Sequence, residues 1–140
     1  MMFALLLALA QAAAPPTPPL ARDWNTLPRI PLNNGTRMAA EDLNAVKELA
    51  RREECRASVG PVLSAASGQD DHMRGLRVDL AVLVAPDGSF LAIRAAPGAC
   101  DAIRNYARAI VNGRFRGHVR GPDGPGPAWY GTTLNFAWTP

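Results

Sequence analysis

RVDLAVLVAPDGSFLAIRA, running from Arg77 to Ala95, is the stretch whose reading decides the fold. Starting one residue earlier, Leu76, Val78, Leu80, Val82 and Val84 fall on one side of a period of two, with Arg77, Asp79, Ala81, Leu83 and Ala85 on the other. Alternation with branched side chains predicts a strand with one well-buried face. Asp87-Gly88 predicts a tight turn, because glycine accepts the positive φ that such turns require. The chain then returns as a second strand, Ser89 to Ala95, with Phe90, Ala92 and Arg94 alternating against Leu91, Ile93 and Ala95.

Downstream, Pro97-Gly98 breaks the chain before a helix in CDAIRNYARAIVNGRF, Cys100 to Phe115. Ile103, Tyr106, Ala107, Ile110 and Val111 share one side of it, and Gly113 is placed to end it. FRGHVRGPDGPGP is a loop by composition. AWYGTTLNFAW, Ala128 to Trp138, closes the chain as a strand with Tyr130, Thr132, Leu134, Phe136 and Trp138 on one face. Leu134 and Phe136 are expected in the core and Trp129 on the surface. A right-handed crossover through the helix returns the last strand parallel to the second. It then lies beside the first, giving an α+β fold: a three-stranded antiparallel sheet of order 2-1-3 with two helices on one face. The last strand becomes an edge, and an open edge can pair with another chain.

Upstream, MAAEDLNAVKELARREEC, Met38 to Cys55, predicts the other helix, with Leu43, Val46, Leu49 and Ala50 as its apolar stripe. Thr36 is its candidate N-cap, and Glu41 and Asp42 sit near the positive end of the helix dipole. Gly60-Pro61 is a stop, and residues 59–74 read as loop. The first residues, MMFALLLALAQAAA, are apolar and uncharged, too short for a membrane span of roughly 20 residues. They fit a cleaved export signal, with an uncleaved anchor as the alternative. The division is therefore a signal peptide at 1–14, a proline-rich tether at 15–35 and one domain at 36–140. Trp24, Leu27, Ile30 and Leu32 are placed to pack the later tether onto that domain. Fully extended, the tether reaches about 60 Å at about 3.1 Å per residue.

A chain of 140 residues, 48% hydrophobic and 19% charged, has an ordinary globular composition. Between Asp101 and Arg120 five arginines face one acid, which suits anionic groups, although a solvated helix face and loop is the plainer reading. Nucleic acid is not an expected partner. Cys55 and Cys100 form an even pair in an exported chain, which favours a disulfide over two buried thiols. Such a bond closes a long loop and contributes about 3–4 kcal/mol in the chain-entropy model. Asp70, Asp71 and His72 could supply ligands to a small metal-dependent hydrolase, but adjacent loop residues seldom converge on one ion. No phosphate loop follows a strand and no serine sits in a nucleophile elbow, so neither an enzyme nor a cofactor is expected.

Taken in order, these elements resemble the TonB C-terminal domain family over roughly residues 38 to 140. The matching features are Val78–Val84, Asp87-Gly88, Phe90–Arg94, the helix with Ile103, Ala107 and Val111, Arg114-Phe115, Pro122-Asp123-Gly124 and Thr132–Ala137. The chain departs from the family at Gly117, where members usually carry a proline two residues after the Arg-Phe pair. The resemblance implies a periplasmic module of Gram-negative bacteria that adds an extended peptide to a sheet edge. The implied partner is the TonB box of an outer-membrane transporter or another periplasmic segment. On this chain the implied site is Tyr130, Thr132, Thr133, Leu134, Asn135 and Phe136 for strand pairing, with Arg114, Arg116 and Arg120 supplying charge. A structural protein that pairs its own edge strands into a homodimer remains a further alternative.

Overall fold

The computed structural model describes residues 17–32, 39–61 and 73–139. The expected export signal at 1–14, the expected Asn33-Asn34-Gly35 turn, Thr36 and the Asp70-Asp71-His72 stretch lie outside them. The fold is α+β. An antiparallel four-stranded sheet comprises β1 (Gly60–Pro61), β2 (Arg74–Val84), β3 (Phe90–Ala95) and β4 (Ala128–Trp138). Two helices, α1 (Ala40–Ala50) and α2 (Asp101–Ile110), accompany it. Three strands were expected. The fourth, β1, is the Gly60-Pro61 stop itself, pairing Gly60 with Gly75 and Pro61 with Arg74.

The long strand β2 pairs β3 through Leu80–Val84 and pairs β4 along its whole length, from Arg74↔Trp138 to Val84↔Ala128. Its alternation sorts the two faces as the sequence predicts. Leu76, Val78, Leu80, Val82 and Val84 share a core with Leu134 and Phe136 of β4 and with Val46, Ala50, Ile103, Ala107 and Ile110 of the helices. The hairpin turn is built from three residues. Pro86 and Asp87 occupy its centre, the Gly88 N–H donates to the Ala85 carbonyl at 2.8 Å, and Gly88 takes φ +87°. The Asp87 carboxylate accepts from the Ser89 N–H and hydroxyl, which closes the turn and lowers the pKa of Asp87.

Three local readings change. β3 carries a bulge at Leu91, because Phe90 pairs with Val84 and Ala92 with the adjacent Leu83. Phe90 and Ile93 therefore both lean on the main core instead of alternating. The first helix stops at Ala50 rather than Cys55: Arg52 takes extended backbone, and a short 3-10 turn over Glu53–Ser58 carries Cys55 inward. There it bonds Cys100 at the start of α2, with Cα atoms 5.0 Å apart. The second helix does not end at Gly113. It widens into a π turn over Val111–Phe115, and the chain reverses at Gly117 with φ +79°. Proline, held near −65°, cannot take that conformation, so glycine at this position is a backbone requirement.

A second, smaller core lies on the opposite face of the sheet. Ala81, Leu83 and Trp129 are covered there by Leu20, Trp24 and Leu27 of the proline-rich segment. Trp129, expected at the surface, is 8% exposed, and its indole N–H donates to the Pro18 carbonyl at 2.8 Å. The cover comes from residues more than a hundred positions away, which no local pattern reveals. Ile30, a few residues on, joins the main core on the helix side. The segment thus passes from one face of the sheet to the other around the edge of β4.

Candidate functional site: the outer edge of the closing strand

Because β4 is zipped to β2 on one side, its backbone groups alternate between that ladder and the free edge. Gly131 identifies which residues turn outward. Its N–H donates to the Pro28 carbonyl at 2.9 Å, and its carbonyl accepts from the Ile30 N–H at 3.0 Å. With a period of two and no bulge in the β2–β4 register, Thr133, Asn135 and Ala137 turn their N–H and C=O groups the same way. Among the described residues these groups have no backbone partner. Among the described residues the edge is therefore open from Thr133 to Ala137, and it is occupied at Gly131 by the chain's own Pro28–Ile30.

Local chemistry holds that occupying segment in place. Asp23 accepts the Asn25 N–H at 3.0 Å and sets a short turn over Trp24–Thr26, aiming Trp24 and Leu27 at the sheet. Pro28 and Pro31 lack N–H groups but contribute carbonyls: Pro28 to Gly131, and Pro31 to the Arg120 N–H at 3.2 Å. Leu32 bridges to Val119 beyond. At Gly131 the segment lies within van der Waals reach of the strand, through Leu27 and the Trp24 carbonyl.

The residues singled out for pairing divide into two sets. Thr133 and Asn135 turn their backbone groups outward. Tyr130, Thr132, Leu134 and Phe136 turn theirs into the β2 ladder, and Leu134 and Phe136 are buried in the main core. The arginines are dispersed. Arg114 binds Asp42, Arg116 donates to Asn112 at 2.9 Å, and Arg120 lies beside the tether through its backbone bond to Pro31. The basic groups that do flank the edge are Arg29 and Arg77, which line a cleft with Asp79 and Thr133. Within it, Asp79 accepts from the Thr133 hydroxyl at 2.7 Å and from Arg77 Nε at 3.0 Å. Arg77 stands two positions before Asp79 in the strand alternation, so its position was legible. Arg29 was not, since only the docked tether brings it there.

A separate polar cluster ties the two helices together. Asp42, 5% exposed, accepts from the Ala39 N–H at 2.9 Å, from the Tyr106 hydroxyl at 3.3 Å and from Arg114 Nε at 3.2 Å. Burial pushes the Asp42 carboxyl up. The Arg114 guanidinium, the Ala39 N–H and the Tyr106 hydroxyl together outweigh it and hold the group below the usual carboxylate range. Tyr106 is pushed up, first by burial and then by the neighbouring Asp42 charge. This cluster is satisfied internally and reads as structural.

Among the described residues, no group of three or more His, Cys, Asp or Glu side chains is placed to hold a metal ion. No helix among them is long and apolar enough to cross a membrane. Among the described residues, the edge offers a row of unpaired peptide donors and acceptors beside two guanidinium groups, of which Arg77 is paired with Asp79. In comparisons with protein-family models, curated proteins and solved structures, nothing matches this chain.

Proposed function

We propose that the protein is a TonB-like periplasmic binding module that pairs an extended peptide with the outer edge of β4. The peptide is the TonB box of an outer-membrane transporter or a segment like it. The observation that carries this reading is the outward backbone row at Thr133, Asn135 and Ala137, on a long strand with no bulge. Pairing there follows the β-augmentation mode, in which main-chain hydrogen bonds supply affinity and alternate side chains supply selectivity. Arrangement adds support: β2 lies between β3 and β4, and both helices share one core with the same face of the sheet, the arrangement expected from the right-handed crossover. The Cys55–Cys100 disulfide supports an oxidising compartment, consistent with export.

The test is chemical-shift mapping of the labelled protein with a TonB-box-like peptide. The amides of Thr133, Asn135 and Ala137 shift saturably while the core amides of β2 stay in place. A peptide that leaves those three unmoved at saturating concentration overturns the reading.

A further inference from the structure

We propose that the groove between the outer edge of β3 and α2 is a second peptide site, one that takes a short extended segment of alternating acidic and apolar side chains. It lies on the opposite edge of the sheet from β4 and does not depend on the reading of that edge.

The backbone argument starts from register. Gly131 turns its groups away from β2, so the opposed Ala81 turns its own toward β3, and Leu83 does the same. Their partners Arg94 and Ala92 are bonded inward, which leaves Ile93, between them, facing out. Among the described residues the Ile93 N–H and C=O have no backbone partner. The next outward carbonyl, that of Ala95, is already taken by Arg104 Nη2 at 2.8 Å. One residue thus offers a donor and an acceptor, and the Arg104 contact marks where pairing must stop.

Beside it, the bulge turns Leu91 out of the sheet, leaving it 57% exposed, the most exposed large apolar side chain among the described residues. The far wall is α2 with the π turn that continues it, whose Asn105, Arg108 and Asn112 recur at helical spacing along the groove. The open space between is about 500 Å³, within the size range of ligand clefts. An edge strand facing a helix across such a groove is a known seat for an added strand.

Charge selects the occupant. Arg108 lines the groove and no Asp or Glu does, while Arg94 lines the adjoining cleft on the Trp24 side of the same edge; among the described residues neither arginine is ion-paired with a carboxylate. An incoming strand that carries both carboxylates and branched apolar residues meets Arg108 and Leu91 together in the groove. A second copy of this chain is disfavoured. Antiparallel pairing about Ile93 would bring the Arg94 and Arg108 groups of both copies into one seam, and like charges across a strand pair repel. The peptide groups of Ile93, without a backbone partner among the described residues, favour a strand over a flat anionic membrane surface.

The test uses the labelled full chain and two short peptides, one alternating glutamate with valine and the other lysine with valine. Expected are saturable shifts at Leu91, Ile93 and Arg108 with the glutamate peptide, weakening about tenfold in raised salt. Arg108→Glu and Leu91→Asp, both at exposed positions, each weaken binding about tenfold while the thermal melt stays unchanged. Equal binding of the lysine peptide overturns the charge argument. Shifts confined to Thr133–Ala137 overturn this site while upholding the β4 edge. Binding to anionic vesicles with no peptide shifts assigns the patch to membranes instead, and concentration-dependent dimerisation that shifts Ile93 assigns it to self-pairing; either result overturns the proposal.

Discussion

Arg29 sits opposite Gly131 in a parallel bridge on the outer edge of β4. The strand expected to be open along its length is thus partly filled by the protein's own N-terminal segment. Under the proposed function an incoming peptide would start at Thr133, and Arg29 lines the cleft at that boundary.

Hydrogen exchange will show this division directly. The Gly131 amide, bonded to Pro28, exchanges slowly, whereas those of Thr133, Asn135 and Ala137 exchange quickly. Slow exchange at the last three would mean that another part of the chain covers the edge.

Anchoring of the segment depends on Ile30, which is 7% exposed within the main core. Ile30→Ala should cost about 2–4 kcal/mol in urea unfolding. The same change should raise the exchange rate of Gly131 more than that of Leu80. Equal effects on both amides would indicate general destabilisation, with no specific release of the segment.

Asp42 makes stability depend on pH. Its carboxyl titrates lower in the folded chain than its ordinary value of 3.8. A depressed acid stabilises the fold above the unfolded pKa and loses that contribution as pH falls through the folded one. Stability from this group is therefore complete at neutral pH and declines below about 4. Asp42→Asn should cost about 2 kcal/mol at pH 7, since it strips Arg114 and Tyr106 of their acceptor charge, and should flatten the acid limb of the stability curve. An unchanged acid limb would remove Asp42 from the account.

Gly117→Pro, which installs the residue usual in the resembled family, should destabilise this chain by about 1–3 kcal/mol because φ is +79° there. Gly121→Ala should be at least as costly for a different reason. A Cβ at that position would collide with the Pro86 and Ala85 carbonyls of the hairpin turn. Thermal melts of the two variants distinguish these outcomes from neutral substitutions.

Reducing the Cys55–Cys100 bond, or replacing both cysteines with serine, opens a loop with a sequence separation of 45. The expected loss is about 3–4 kcal/mol in the denatured-chain entropy model. A midpoint in denaturant that does not move would show that the bond constrains little in the unfolded chain.

What the amino-acid order determined alone was whatever rests on neighbours within a turn or a pleat. The alternation of Leu76–Val84, the Asp87-Gly88 turn, the apolar stripe of Ile103, Ala107 and Ile110, and the core positions of Leu134 and Phe136 all follow from local periods. The pairing of Cys55 with Cys100 could be inferred as well, from an even count and the expectation of export. Tertiary structure alone decided the rest, because those features depend on contacts between distant segments. Trp129 is buried only because Leu20, Trp24 and Leu27 arrive to cover it, and Asp42 becomes a structural acid only when Arg114 reaches it. The bulge at Leu91 and the occupied edge at Gly131 are set by how strands register and what packs beside them. A period of two shows that a strand has an edge; which of its residues stay open is fixed by the whole chain closing around it.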